Sequence, residues 1–412
     1  DGPVWKFPSR TIVPNFVTES GYTEDIGSRN KVGDVQAHSR MAIVGVADGS
    51  VKWIEHGQQT PTAGDGKKPA ERDVALMRPE FSEDGTKAVL MARSADNKDR
   101  WLLALDMATG KTRVLTSDHD EAWIRGLGGF DGFGRGAGFG WMKNGQDLWF
   151  LSERTGYSQL YAVPYDGGES RALTSGRWEV GSAWLSEDKS RFYLVSNEPD
   201  PSEVHLFSMP AEGGPRTRIT SSKGHHAPAL SADERWIADI HSYTNKPPEL
   251  YVMENRPGAE ERKLTSSPAP DFASYPWIDA PITHFTTRDG AEAPVRVYKP
   301  ANFQRGGPAV GFVHGAGYLQ NVHKWWSSYS HEYLFHHFLM EHGYLVIDID
   351  YRGSAGYGRD WRTAIYRHMG GKDLDDHVDA ARWIVSQYGV NPKKIGIYGG
   401  SYGGFITLMA LF

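Results

Sequence analysis

A chain of 412 residues has room for two or three domains, and 39% apolar residues can build a substantial core. The net charge of -6, with no basic run, excludes an electrostatic footprint for nucleic acid, and the most apolar short window, 344–349, is far too short to span a bilayer. The absence of cysteine excludes disulfides, thiolate metal sites and cysteine nucleophiles. No secretory leader is visible. The chain opens on Asp1-Gly-Pro rather than Met, so an upstream segment is compatible with it. The compartment stays open, with periplasm or secretion favoured over cytoplasm.

Aromatic residues make up 12% of the chain and there are 47 glycines, a profile of many short strands joined by turns. One phrase recurs through the first two thirds. An alternating apolar run is followed by a turn, a basic residue and then Leu-Thr or Ile-Thr, ending at Thr116, Thr174, Thr220 and Thr265. The last two intervals are 46 and 45 residues, and the first is 58, so that unit carries an insertion. Between these marks lies a second phrase of Ser, Asp, Asn and Gly, at Ser82-Glu-Asp84, Asn144-Gly145, Ser186-Glu-Asp188 and Ser231-Ala-Asp233. Asp and Asn tolerate left-handed backbone and bond their own turn, so they punctuate hairpins. A period of roughly 40–50 residues holding four short strands predicts propeller blades. About five fall within 1–272, a partial all-β propeller, and further N-terminal blades are expected to precede them.

The pattern stops after Thr265. Ser266-Ser-Pro-Ala-Pro270 reads as a linker, and 282–298 as a hairpin around Asp289-Gly290. Residues 309–313 and 344–349 are continuous apolar runs suited to a parallel sheet covered on both faces. Leu374, Val378, Ala381, Ile384, Val385 and Tyr388 recur at helical spacing behind Asp373, the expected N-cap. Asp375, Asp376 and Asp379 read as a solvated helix face. Residues 273–412 are therefore expected to form an α/β-hydrolase domain, incomplete at its C-terminal end.

After the strand 394–398 comes Gly399-Gly-Ser401-Tyr-Gly-Gly404, then the apolar 405–412. A serine on a strained strand-to-helix turn stands clear of the sheet, and glycines two positions either side avoid a clash. Ser401 is the expected nucleophile. The N–H of Tyr402, at the start of the helix, is one oxyanion donor. The stretch His314-Gly-Ala-Gly317, at the end of the 309–313 strand, is the expected oxyanion loop, with the backbone of Gly315 and Ala316 as further donors.

These motifs, with Asp350-Tyr-Arg-Gly-Ser-Ala-Gly-Tyr-Gly358, resemble the prolyl oligopeptidase family, in particular its bacterial dipeptidyl-peptidase and acylaminoacyl-peptidase branches. The resemblance implies a propeller admitting short peptides to a serine peptidase site, no cofactor, a triad in the order Ser, Asp, His, and the homodimer found in relatives. Some relatives place a Tyr in the first oxyanion loop, where this chain has His314 and Gly315. The family's Asp and His would lie beyond Phe412, so this chain alone is expected not to turn over substrate. Dipeptidyl peptidases of the family hold the substrate's α-amine with propeller carboxylates, a role that falls to Asp120 and Glu121 in the inserted stretch.

His331, His336, His337 and His342 do not have the first-and-fifth spacing of a zinc helix, so no metal site is expected. Two rivals to a serine exopeptidase or oligopeptidase remain: a carboxylesterase using the same elbow, and a non-catalytic propeller that binds partners.

Overall fold

The structure, a computed structural model, describes residues 12–27, 38–60, 69–125 and 138–412. The opening residues 1–11 and most of the Gly-rich 126–140 segment lie outside them. The chain forms two compact units, Asp1–Ser117 and Asp118–Phe412.

The first unit holds two hairpins, Ile12–Asn15 with Glu24–Gly27 and Ala42–Val44 with Val51–Trp53. It also holds an antiparallel sheet running in order from Val74–Leu76 through Ala88–Ser94 and Asp99–Leu105 to Thr112–His119. The second unit begins with three four-stranded antiparallel meanders. They run from Phe139–Trp141 to Arg171–Ala172, from Val180–Leu185 to Thr217–Arg218, and from His225–Leu230 to Arg262–Lys263. Each falls between consecutive Leu-Thr marks, as the repeat predicts for blades of a propeller.

The chemistry of the repeat explains its spelling. In each of these three meanders the marking threonine accepts a hydrogen bond from a leucine N–H of the third strand: Leu160 to Thr174 (2.9 Å), Leu206 to Thr220 (3.1 Å) and Leu250 to Thr265 (2.9 Å). It thereby fastens the short fourth strand. The Ser-x-Asp phrase is the first hairpin turn. Ser82, Ser186 and Ser231 donate to Asp84, Asp188 and Asp233 at 2.6–2.7 Å. Each Asp in turn accepts the backbone N–H two residues on, the Asx geometry that reverses the chain. Apolar side chains on the inner strand faces fill the blades, among them Trp149, Leu160, Phe192, Leu194 and Phe207.

The hydrolase sheet follows. Its order is Ile282–Thr286, Glu292–Tyr298, Leu345–Ile349, Ala309–Val313, Ile395–Gly399, with the first two pairings antiparallel and the last two parallel. Gly290 turns the opening hairpin with φ 84°. Helices Ser330–Glu341, Lys372–Tyr388 and Tyr402–Met409 cover the sheet. Val295, Val313, Leu345, Ile347, Ile384 and Ile406 lie in its core.

Two expectations on Lys372–Tyr388 need correction. Its N-cap is Gly371, and Asp373 sits inside the first turn, buried. Its other acids are not a solvated face. Asp376 is fully buried against Arg352, which it binds through Nε at 3.0 Å and through Nη2, while Asp379 is buried and receives Arg288 and Arg382. Only Asp375, paired with Arg288, is partly open to water. Helical spacing alone did not reveal that two arginines approach this face from neighbouring loops.

Blades and hydrolase are joined by buried charge. Arg362 grips Glu153 through both terminal nitrogens, at 2.5 and 2.9 Å, with both side chains less than a tenth exposed. Burial pushes the Glu153 carboxyl up, but Arg362 outweighs it and the net shift is downward. Lys324 bridges Asp200 and Glu203 at 2.7 Å each. Asn197 donates to the Gly356 carbonyl at 3.1 Å.

Candidate active site

The elbow is built by register. Val313 pairs with Gly399 in parallel, so the loop after one strand and the turn after the other leave the same edge of the sheet side by side. Ser401 adopts φ 55°, ψ -120° between strand and helix, and it is exposed. A non-glycine residue in this left-handed region carries backbone strain. The glycines around it are there for space. A methyl on Gly403 would overlap the Val313 carbonyl, and one on Gly399 would overlap that oxygen and stand 2.9 Å from Gly403 Cα. At Gly400 a methyl would meet nothing within 4 Å.

The oxyanion loop is equally constrained. His314 is fully buried, stacked on Tyr351 with ring centroids 4.3 Å apart. Its Nδ1 lies 3.0 Å from the Gly315 carbonyl and its Nε2 2.9 Å from Ser354 Oγ. This arrangement suits a neutral ring that donates from Nδ1 and accepts at Nε2. Burial pulls the imidazole below its ordinary range, against the opposing field of Asp350. Tyr351 donates to the His314 carbonyl at 2.8 Å. Asp350 accepts the N–H groups of Asn321 and Val322 at 2.8 and 3.0 Å, bracing the far end of the loop. The following Ala316 and Gly317 both take left-handed backbone, φ 59° and 64°, which turns the loop back over the Tyr402 ring, 3.4 Å from a methyl placed on Gly317.

The structure brings Ser401, Gly315, Ala316 and Tyr402 together. Tyr402 opens the elbow helix, so its N–H has no intrahelical acceptor. Its phenol donates to Asp373 at 2.5 Å. Neither the Tyr402 nor the Ala316 N–H has a hydrogen-bond acceptor among the described residues. The Gly315 N–H does have one. It donates to Tyr329 Oη at 2.6 Å. Nothing in the sequence marks Tyr329, which stands 14 residues downstream at the start of a helix. No imidazole or carboxylate bonds the Ser401 hydroxyl among the described residues.

Asp120 is bonded within its own stretch and to a nearby helix. Its Oδ1 caps the N–H groups of Ala122 and Trp123 at 2.8 and 3.2 Å, and its Oδ2 is 3.3 Å from Nε of Arg359, the first residue of the helix Arg359–Thr363. Glu121 is exposed. No cluster of three or more His, Asp or Glu with metal-holding geometry occurs among the described residues. None of the described helices is long and apolar enough to cross a membrane.

Comparison with known proteins agrees with this architecture. Residues 19–248 match the model of the dipeptidyl peptidase IV N-terminal region, and residues 328–412 match that of the prolyl oligopeptidase family. The first match alone covers more than half of the chain. The chain belongs to the prolyl oligopeptidase family.

Among relatives of this prolyl oligopeptidase family chain, dipeptidyl peptidase 8 of Mus musculus is 28% identical over 263 residues, 59% of this chain and 29% of the relative. Dipeptidyl peptidase 4 of Trichophyton rubrum is 25% identical over 321 residues, 75% of this chain and 40% of the relative. The chain thus spans well under half the length of these curated relatives. Dipeptidyl peptidase 4 of Porphyromonas gingivalis superposes with a TM-score of 0.78 at 22% identity, over 98% of this chain and 54% of that structure. That likeness supports the propeller and hydrolase folds described above.

Proposed function

We propose that the protein is a serine exopeptidase or oligopeptidase acting on short peptides in the manner of dipeptidyl peptidases, through an acyl-enzyme on Ser401. The observation that carries this reading is the strained elbow. A serine hydroxyl stands free at the sheet edge, with the acceptor-free N–H of Tyr402 next to it in the chain and the 315–316 turn alongside, where a methyl on Gly315 would stand 3.5 Å from Ser401 Cβ. Ser401 Oγ attacks the scissile carbonyl and yields its proton to a base. The carbonyl oxygen becomes an oxyanion held by those N–H groups, the amine leaves with a proton, and water releases the acyl group. The family's base is a histidine oriented by an aspartate; neither role is assigned to a described residue. We place the division between propeller and hydrolase at 272/273, just after the 266–270 linker that follows the last blade.

Asp120 and Glu121 are proposed to hold the substrate's free α-amine. Support comes from the carboxylate pair itself, in an inserted stretch whose Asp120 faces Arg359 at the start of the helix Arg359–Thr363. In such a complex the ammonium would share or displace the Arg359 guanidinium that Asp120 now faces at 3.3 Å.

The test is labelling of the purified full-length protein, with whatever chain follows Phe412, by a fluorophosphonate, with turnover of dipeptidyl nitroanilides measured against simple esters. Labelling lost in Ser401→Ala, with nitroanilide turnover, is expected. Absence of labelling favours a binding protein, and turnover of esters alone favours a carboxylesterase. Replacing Asp120 and Glu121 by Ala should raise KM for free-amine peptides and leave N-blocked peptides little changed.

A further inference from the structure

Asp373 is fully buried in the first turn of the helix Lys372–Tyr388, yet its carboxyl meets no cation among the described residues. It accepts three hydrogen bonds instead. The Leu374 N–H donates to Oδ1 at 3.0 Å, and the Gly370 N–H at 3.1 Å and the Tyr402 phenol at 2.5 Å both donate to Oδ2. A cap role does not account for it, because Gly371 is the N-cap. Burying a carboxyl without a counter-charge costs stability, and its neighbours Asp376 and Asp379 both have arginines. What Asp373 reaches is the elbow. Tyr402 follows Ser401 and carries an oxyanion N–H on its backbone. Its ring lies against Gly317, where a methyl would stand 3.4 Å from both Cε2 and Cζ. Gly317 follows Ala316, whose N–H is the other donor without an acceptor among the described residues. The Gly370 turn packs on the elbow helix as well, where a methyl would be 3.1 Å from Met409 Cε. The Tyr402 side chain therefore spans from one oxyanion donor to the loop that carries the other, and its far end is tied to Asp373.

We propose that Asp373 is a positioning residue for the reaction at Ser401: by holding the Tyr402 phenol it fixes the ring that sets the spacing between the Tyr402 and Ala316 N–H groups. The proposal rests on the serine-peptidase reading of the elbow. Asp373 acts through Tyr402 and not on the reacting atoms. Oxyanion donors must stand at hydrogen-bond distance from the place the oxygen will occupy, and a ring free to change rotamer would let loop and elbow drift apart. The two N–H groups of its own turn pin the carboxyl, which leaves the phenol one direction in which to point. Burial and the Asp373 hydrogen bond push the phenol up, so it keeps its proton and goes on donating at neutral pH.

The experiment takes the full-length protein, with whatever chain follows Phe412, through a double-substitution cycle of Asp373→Ala and Tyr402→Phe on a dipeptidyl nitroanilide. Rates are normalised to fluorophosphonate-labelled sites counted at the end point, so loss of folded protein does not enter. Each single variant should lower kcat by about 10–100-fold, the scale expected when a catalytic group is displaced by about 1 Å, with KM close to unchanged. Affinity for a peptidyl aldehyde, which forms a tetrahedral adduct on the serine, should fall with it, while affinity for the product dipeptide stays. The double variant should be no slower than the slower single one, because both changes remove the same bond. Asp373→Asn keeps an oxygen for the phenol and should recover most of kcat. Losses that multiply in the double variant overturn the proposal, since Asp373 would then act by another route. A raised KM with kcat unchanged overturns it too, as does Asp373→Asn as slow as Asp373→Ala. If Asp373→Ala does not fold, Tyr402→Phe carries the test, and full kcat in that variant overturns the role. Failure of the parent protein to label or turn over overturns the serine-peptidase reading along with it. Turnover by the parent with undiminished kcat in both single variants overturns the role of Asp373 alone.

Discussion

Two neighbouring glycines of the elbow do different work. Gly403 lets the helix close on the Val313 carbonyl, where no Cβ fits, whereas Gly400 faces open space on its side-chain side. Gly403→Ala must push helix and strand apart, and overpacking of this kind costs about 1–3 kcal/mol or more. We expect that variant to lose stability and Ser401 labelling together, whereas Gly400→Ala keeps its melting temperature within a few degrees. Comparable melting curves for the two would show that the close approach is not structural. The need for glycine two places from Ser401 was legible from the G-x-S-x-G motif. The hydrogen bond from the Gly315 N–H to Tyr329 was not, because no local pattern ties a tyrosine to a glycine N–H 14 residues away. Asp376 and Asp379 were misread for a similar reason: their partners Arg352 and Arg288 come from other elements.

At the scale of elements, blade spacing was fully legible because the phrases that repeat are the bonds that repeat. Leu-Thr closes the fourth strand, and Ser-x-Asp turns the first hairpin. What the repeat conceals is the side chains in which blades differ. Glu153 belongs to one blade alone and meets Arg362 of the hydrolase. Breaking a buried pair by removing one member costs about 3–5 kcal/mol, since the other charge is left unmatched. Glu153→Ala should therefore destabilise by about that much in denaturant unfolding. The double substitution Glu153→Leu with Arg362→Met should recover most of the loss, because neither charge is then stranded. Equal losses in single and double variants would mean that the pair matters for packing rather than for charge.

Across the molecule, burial holds an unusual number of imidazoles neutral. It pulls His205 to about 4 and His336 and His377 to about 3, and it lowers His241, His314, His323 and His337 as well. His226 goes the other way. Burial pulls it down, but the Asp239 carboxylate at 2.5 Å outweighs that and raises it. The sign follows from which state takes up protons. As pH falls through the ordinary histidine range, the unfolded chain protonates and the seven lowered imidazoles do not, so stability falls with pH. His226 contributes stability below that range and loses it as pH rises through its folded value, one group against seven. Each lowered group accounts for about 1.4 kcal/mol per pH unit over its own window. Unfolding free energy measured from pH 7 down to 4.5 should therefore drop more steeply than a single-proton slope. A flat profile over that interval would contradict the burial of these rings.

The two links between blades and hydrolase also bear on how portable the catalytic half is. Arg362 is anchored in the meander that ends at Ala172, and Lys324 in the next one, at Asp200 and Glu203. Arg362 sits on the short helix Arg359–Thr363 and Lys324 on a loop of the hydrolase half, and each is held by a different blade. A chimera that moved residues 273–412 onto a foreign propeller would inherit two orphaned cations. Successful transplantation would have to carry those two acidic docking points along.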